Sequence, residues 1–179
     1  VLSGALRPFS ELNLHLAFYQ SREDVGAVIH AHPPTATGFT VAGKMLDQPM
    51  LPEAVVSLGD RIPTVPLAMP GNDAVQALAP FLDQFDALLL AGNGVITVGE
   101  NLEQAYLRME LVEHLARIAL VAEQLGGVQP LPPHFLSTLR TARERAGLGP
   151  TARHPSTPAL PGTRRSVSDH PANPHHASA

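Results

Sequence analysis

The chain has 179 residues, 44% hydrophobic and 16% charged, which is one ordinary domain's worth of core and too much apolar material for wholesale disorder. Its net charge of −4 disfavours nucleic acid and anionic membrane as partners. The absence of cysteine excludes disulfides, thiolate-bound zinc and thiol nucleophiles, so any metal site must draw on His, Asp, Glu, Asn or backbone oxygens. No apolar run approaches the roughly 18 residues of a membrane span, and no basic-then-apolar leader opens the chain; the expected location is the cytoplasm. The chain begins at Val1 rather than Met and enters a helix start within ten residues, so a fragment or a late gene start is expected.

In chain order, Ser10 is placed to cap a helix of about Glu11 to Arg22 with Leu12, Leu16 and Tyr19 along one face. Val25 to Ala31 alternates and reads as a strand, and Pro33-Pro34 opens a short helix through Ala42. The proline-punctuated stretch Pro49 to Pro70 is expected to hold two short strands, Ala54 to Leu58 and Arg61 to Leu67. A helix follows from Gly71 or Asn72 through about Leu82, then a buried strand over Asp86 to Ala91. Gly92-Asn93-Gly94 is a turn and Val95 to Val98 the returning strand, a hairpin. Asn101 with Gln104 resembles a capping box opening the longest helix, about Leu102 to Leu125, whose apolar face is read as Leu107, Leu111, His114 or Leu115, Ile118 and Val121 or Ala122. A last helix runs from Pro132-Pro133 to about Ala146. Alternating strands and helices place the chain in the α/β or α+β class. Residues 1–148 form the expected domain. Residues 149–179 are expected to be a disordered Pro/His-rich tail, since the last thirty residues hold six of the 18 prolines and four of the nine histidines.

One stretch carries metal-ligand chemistry: Val28-Ile29-His30-Ala31-His32-Pro33-Pro34. On a strand, residues i and i+2 share a face, so His30 and His32 project together near the strand's C-terminal end, where open α/β sheets tend to bind ligands. Two imidazoles so placed can converge on one divalent ion. Taken alone, a His-x-His pair is a weak signal. Pro8-Phe9-Ser10-Glu11 sets a carboxylate at a helix start, where the dipole favours its ionised form; an ordinary cap explains it equally well. His15, His114 and His134 have no partner at a ligand spacing and read as surface or half-buried residues. Neither a Gly-rich phosphate loop nor a GxSxG nucleophile elbow is present.

The order of these features resembles the class II aldolase/adducin family. The matching stretches are RPFSELNLHLAFYQSREDVGAVIHAHPPTAT, PGNDAVQALAPFLDQFDALLLAGNGVITVGENLEQAY and MELVEHLARIALVAEQLG, together roughly Arg7 to Gly127. The resemblance implies a three-layer αβα fold around a largely antiparallel central sheet, a homotetramer with active sites at subunit contacts, a small-molecule substrate, and a divalent ion, usually zinc, held by three histidines. His30 and His32 map to two of those ligands and Glu11 to the acid/base glutamate. In this family the metal polarises the carbonyl of a sugar phosphate and stabilises an enediolate while the glutamate moves the proton.

The sequence departs from the family pattern in four places. Asn93 stands at the third-ligand position and offers a neutral amide oxygen, a weaker partner for zinc than imidazole. Of the family's phosphate-contacting Ser-Ser pair only Ser10 is kept, after Phe9. A family tyrosine following a proline maps near Leu67, after Pro66, and leucine cannot donate a proton. The family's N-terminal segment is missing. The leading expectation is a metal-dependent lyase cleaving a small hydroxy-carbonyl compound, with a sugar phosphate as a candidate substrate, through a metal-stabilised enediolate with Glu11 as acid/base. The alternatives are a non-catalytic adducin-like or degenerate assembly domain, or a decarboxylase or epimerase on the same scaffold.

Overall fold

The computed structural model describes residues 8–153. Four strands form one sheet in the order β1-β4-β3-β2, with β1 Ala27–Ala31, β2 Thr64–Val65, β3 Ala87–Leu90 and β4 Gly94–Gly99. β1 and β3 both run antiparallel to β4, and β2 pairs parallel to β3, so the sheet is mixed and largely antiparallel. The helices are α1 Leu12–Ser21, α2 Pro34–Val41, α3 Pro52–Ser57, α4 Asn72–Leu78, α5 Leu102–Gln124, α6 Pro133–Arg145 and α7 Pro150–Arg153. None of them is long and apolar enough to cross a membrane.

The period-2 alternation of the strands divides the core in two. On one face Leu89 and Val95 pack with Met109, Val112 and Ala116 of α5, Ala36 of α2 and Ala54 of α3. On the other, Val28, Leu88, Leu90, Ile96 and Val98 pack with Leu14 and Phe18 of α1 and Leu78 of α4. Helices on both faces of the sheet make the three-layer αβα arrangement. The expected strand start at Val25 is two residues early: β1 begins at Ala27, and Val25 packs with Val28 on the α1 side.

Several local expectations needed correction. Ala54 to Leu58 is not a strand: Pro52 at the first helical turn and Glu53 beside it start α3, and Ala54, Val55 and Leu58 are buried at helical spacing. β-Branched Val55-Val56 gave the strand signal, and tertiary packing overrode it. The strand expected over Arg61 to Leu67 shrinks to two residues plus an isolated bridge between Ile62 and Leu46, since Pro63 and Pro66 remove ladder donors. In α1 the buried stripe is Leu14, Ala17 and Phe18, whereas Leu16 and Tyr19 are exposed. In α5 it is Ala105, Met109, Val112, Leu115, Ala116 and Ala119, so Leu115 is buried as expected, whereas Leu107 and Val121 are exposed. Both helices carry apolar residues at more than one helical spacing, so the pattern fits a rotated stripe as well. The capping box at the start of α5 forms: Asn101 Oδ1 accepts from Gln104 N at 2.9 Å, and Gln104 Oε1 accepts from Glu100 N at 2.9 Å.

At the end of the sheet where β1 and β3 begin, one carboxylate joins five elements. Asp86 is 1% exposed and meets Arg22 after α1 at 2.8 Å, Arg153 of α7 at 2.9 Å, Arg143 of α6 at 3.2 Å and Arg108 of α5 at 3.4 Å. Burial alone would raise its pKa, but Arg108, Arg153 and Arg22 hold it below the usual carboxylate range. Through Arg153 the packed chain continues past the domain end expected at 148; the rest of the expected tail lies outside the described residues.

Candidate active site

The opposite end of the sheet, where β1, β2 and β3 end, gathers the residues singled out in the sequence. Among the described residues β1 is an edge strand; His30 lies opposite Ile96 in the register and so faces α1. The rings of His30 and His32 stand edge to face with centroids 5.2 Å apart. Nδ1 of His30 is 3.1 Å from the Val95 carbonyl oxygen, and donating there orients the ring and leaves Nε2 as a lone-pair donor. Burial lowers the His30 pKa, which favours the neutral, ligating form.

Glu11 precedes α1 and comes close enough to feel the charge of both histidines. Ser10 does not cap the helix as expected. Its hydroxyl donates to Glu11 Oε2 at 2.5 Å, and that hydrogen bond is the main reason the Glu11 pKa falls below its ordinary value. The helix starts at Leu12 with Glu11 at the cap position, so Ser10 lies one residue too early to cap it.

Asn93 sits in the β3–β4 turn. A side chain at Gly94 would run into the Ala31 carbonyl oxygen and come within 2.6 Å of His32 Cδ2, and Gly94 has φ +83°. Glycine is required there twice over, and its bareness is what brings the turn against His32. Asn93 and Glu11 both line one cavity of about 500 Å3, bounded also by the loop Pro66 to Pro70. Leu67, near which the family's tyrosine maps, lines this cavity and has no proton to give.

The structure therefore brings together Ser10, Glu11, His30, His32 and Asn93. It adds His15, read from the sequence as an ordinary surface or half-buried residue. His15 lies one helical turn after Glu11 and packs edge-on against Phe9 at 5.0 Å. Burial first, and then the neighbouring His30 charge, lower its pKa, while Glu11 opposes. Its Nε2 is buried and has no hydrogen-bond partner among the described residues. The i, i+4 spacing from Glu11 was the available signal.

The donor set suits a divalent ion in part. Two imidazoles share a face and one has its second nitrogen anchored, the usual preparation of a ligating histidine. Among the described residues, however, no three His, Asp or Glu side chains converge closely enough to enclose an ion. Asn93, in the turn held against His32, offers an amide oxygen as the remaining protein donor on this side.

Comparison with known proteins then decides the family. The pattern of the class II aldolase and adducin N-terminal domain matches residues 1–120. The chain belongs to this family. An L-fuculose phosphate aldolase of Methanococcus maripaludis is 30% identical over 131 residues, covering 70% of this chain and 67% of that protein. A 5-deoxy-D-ribulose 1-phosphate aldolase of Bacillus thuringiensis is 30% identical over 151 residues, covering 83% and 68%. A 3-oxo-tetronate 4-phosphate decarboxylase of Escherichia coli is 31% identical over 125 residues, covering 67% and 58%. Among solved structures, an L-fuculose 1-phosphate aldolase superposes with a TM-score of 0.71 at 26% identity, covering 82% of this chain and 68% of that one. The class II aldolase relatives above are matched over about two thirds of their length.

Proposed function

We propose that this class II aldolase family member is a metal-dependent lyase cleaving a small hydroxy-carbonyl compound, with Glu11 as acid/base and His30 and His32 as metal ligands. The observation that supports it most is the pair of neighbouring imidazoles at the end of β1, His30 with its Nδ1 anchored on Val95, beside the Glu11 carboxylate that accepts from Ser10. A zinc or similar divalent ion would be held by His30 Nε2, by His32 and, more weakly, by the Asn93 amide oxygen. When bound, it would act as a Lewis acid on a carbonyl oxygen.

The chain's own residues then have distinct tasks. Glu11 accepts the proton of the substrate hydroxyl; the carbon–carbon bond breaks, and its electron pair passes towards the neighbouring carbonyl. Glu11 returns the proton to the carbon left behind, a general acid–base step worth about 10²–10⁴-fold. The Ser10 hydroxyl donates to the carboxylate and favours its ionised form, and Val95 holds the His30 ring in place. Exposed Leu102, Tyr106, Leu107 and Val121 on α5 support assembly of the chain, a homotetramer in this reading.

The test is a screen of hydroxy-carbonyl compounds and sugar phosphates with zinc-loaded full-length chain, following aldehyde release. Glu11→Gln should lose about 10²-fold or more in kcat while binding zinc as before. Turnover undiminished in that variant removes Glu11 from the mechanism. Turnover that releases carbon dioxide or inverts a centre without cleavage moves the reading to the decarboxylase or epimerase alternative, which the Escherichia coli relative favours.

A further inference from the structure

The cavity of about 500 Å3 beside Glu11 has an unusual lining for a family whose relatives are named for phosphorylated substrates. Among its thirteen lining residues Glu11 alone is ionisable, and Asn93 alone carries another polar side chain. The others, Leu14, Leu67, Met69 and Ala74 among them, present hydrocarbon or backbone. Among the described residues that line this chamber, a phosphate would find no cation and would face the Glu11 carboxylate. Unpaired and repelled, an anion loses its hydration there without compensation. An alkyl chain meets the opposite situation, because each methylene it buries is removed from water against carbon.

The rim is already set for such an occupant. Leu67 is 76% exposed and Met69 72% exposed, large apolar side chains left in water at the edge of a cavity. Pro66 and Pro70 bracket them and fix the backbone on either side, so little ordering remains to be done on binding. The cavity also ends on Glu11 and Asn93, so a molecule oriented at those two groups extends into it.

We propose that this chamber is an alkyl subsite: it takes the uncharged hydrocarbon end of the substrate, with Leu67 and Met69 setting the chain length that fits. The proposal rests on the reading of Glu11 given above, because that residue joins the chamber to the reacting centre. It assigns the substrate to the class of short aliphatic hydroxy-carbonyl compounds without a phosphate on that end.

The test uses 15N-labelled, metal-free, full-length chain titrated with straight-chain alcohols from ethanol to 1-hexanol, and separately with inorganic phosphate and glycerol 3-phosphate. The expected result is saturable amide shifts at Leu67, Ala68, Met69, Ala74 and Asn93, with affinity rising about fourfold per added methylene. Neither phosphate should move these amides. Leu67→Asp and Met69→Asp should flatten the dependence on chain length, and since both side chains are exposed the variants should keep the parent melting temperature. Affinity independent of chain length, unaltered affinity in both variants, or phosphate shifting the same amides overturns the proposal. Working without metal separates the two readings. Failure of zinc to bind His30 and His32 leaves an observed chain-length dependence standing. A flat dependence in a chain that does bind zinc there rejects the subsite alone.

Discussion

The two ends of the sheet each gather charged groups around a carboxylate, and they do so in opposite ways. At the end where β1 and β3 begin, Asp86 is enclosed by Arg22, Arg108, Arg143 and Arg153, and its oxygens are matched within the chain. At the end where β1 and β3 finish, Glu11 has one hydroxyl partner, His30 has one anchored nitrogen, and no hydrogen bond to His32 exists among the described residues. A saturated cluster ties elements together; an unsaturated one leaves donors for something that is not protein. The difference separates a structural ion network from a candidate site more cleanly than the number of charged residues does, since the network has more of them.

The largest effect that would sharpen this contrast is at Asp86. Asp86→Asn leaves four guanidinium groups without their shared carboxylate and is expected to cost about 3–5 kcal/mol, lowering the melting temperature by roughly 10 °C or more for a domain of this size. Zinc binding by the folded fraction should not change. Because the folded-state pKa of Asp86 is depressed, its contribution is present above the unfolded carboxylate pKa and is lost as pH falls through the folded value. The variant's stability should therefore be less sensitive to acid than the parent's, read by denaturant titration at several pH values. A variant as stable as the parent would mean the arginines need no carboxylate.

Gly94→Ala comes next. Positive φ and the approach to Ala31 and His32 act together, so a loss of about 1–3 kcal/mol is expected, with weaker zinc binding because His32 is displaced. Loss of stability with zinc affinity intact would place the turn outside the site. Asn93→His tests the same turn from its other side: zinc affinity should rise by about tenfold or more if an imidazole there completes the sphere. No gain would mean that the turn is aimed elsewhere.

The smallest effect is at Ser10. Ser10→Ala removes the hydrogen bond that chiefly lowers the Glu11 pKa, so that pKa should rise towards its ordinary value. The acid limb of any activity then moves to higher pH, and a carboxyl 13C titration of Glu11 follows the change directly. An unmoved titration would assign the low pKa to the histidines instead.

Much of this was legible in the sequence for definite reasons. The His-x-His pair is read by strand alternation, the hairpin by Gly-Asn-Gly, and the start of α5 by its capping box; each is a local signal obeyed locally. The α3 segment reads as a strand because Val55-Val56 outweighs Pro52-Glu53, and the buried stripes of α1 and α5 differ from the expected ones, Leu115 apart, because apolar residues recur at more than one helical spacing in both helices. The Asp86 network joins residues 57 to 67 positions away along the chain, apart from Arg108 in the nearer helix, and no window on the sequence shows such a pairing. His15 has no partner at a ligand spacing in the sequence; its neighbour His30 arrives through the packing of α1 on β1.

The central claim is that the unsaturated end of the sheet holds a divalent ion. Its most direct test is zinc content of the full-length chain after dialysis against a weak chelator, set against the His30→Ala/His32→Ala double variant, which also controls for the histidines of the C-terminal segment. The account predicts about one ion per chain in the parent and about none in a variant that still folds. Equal zinc in both proteins, or none in the parent, would contradict it.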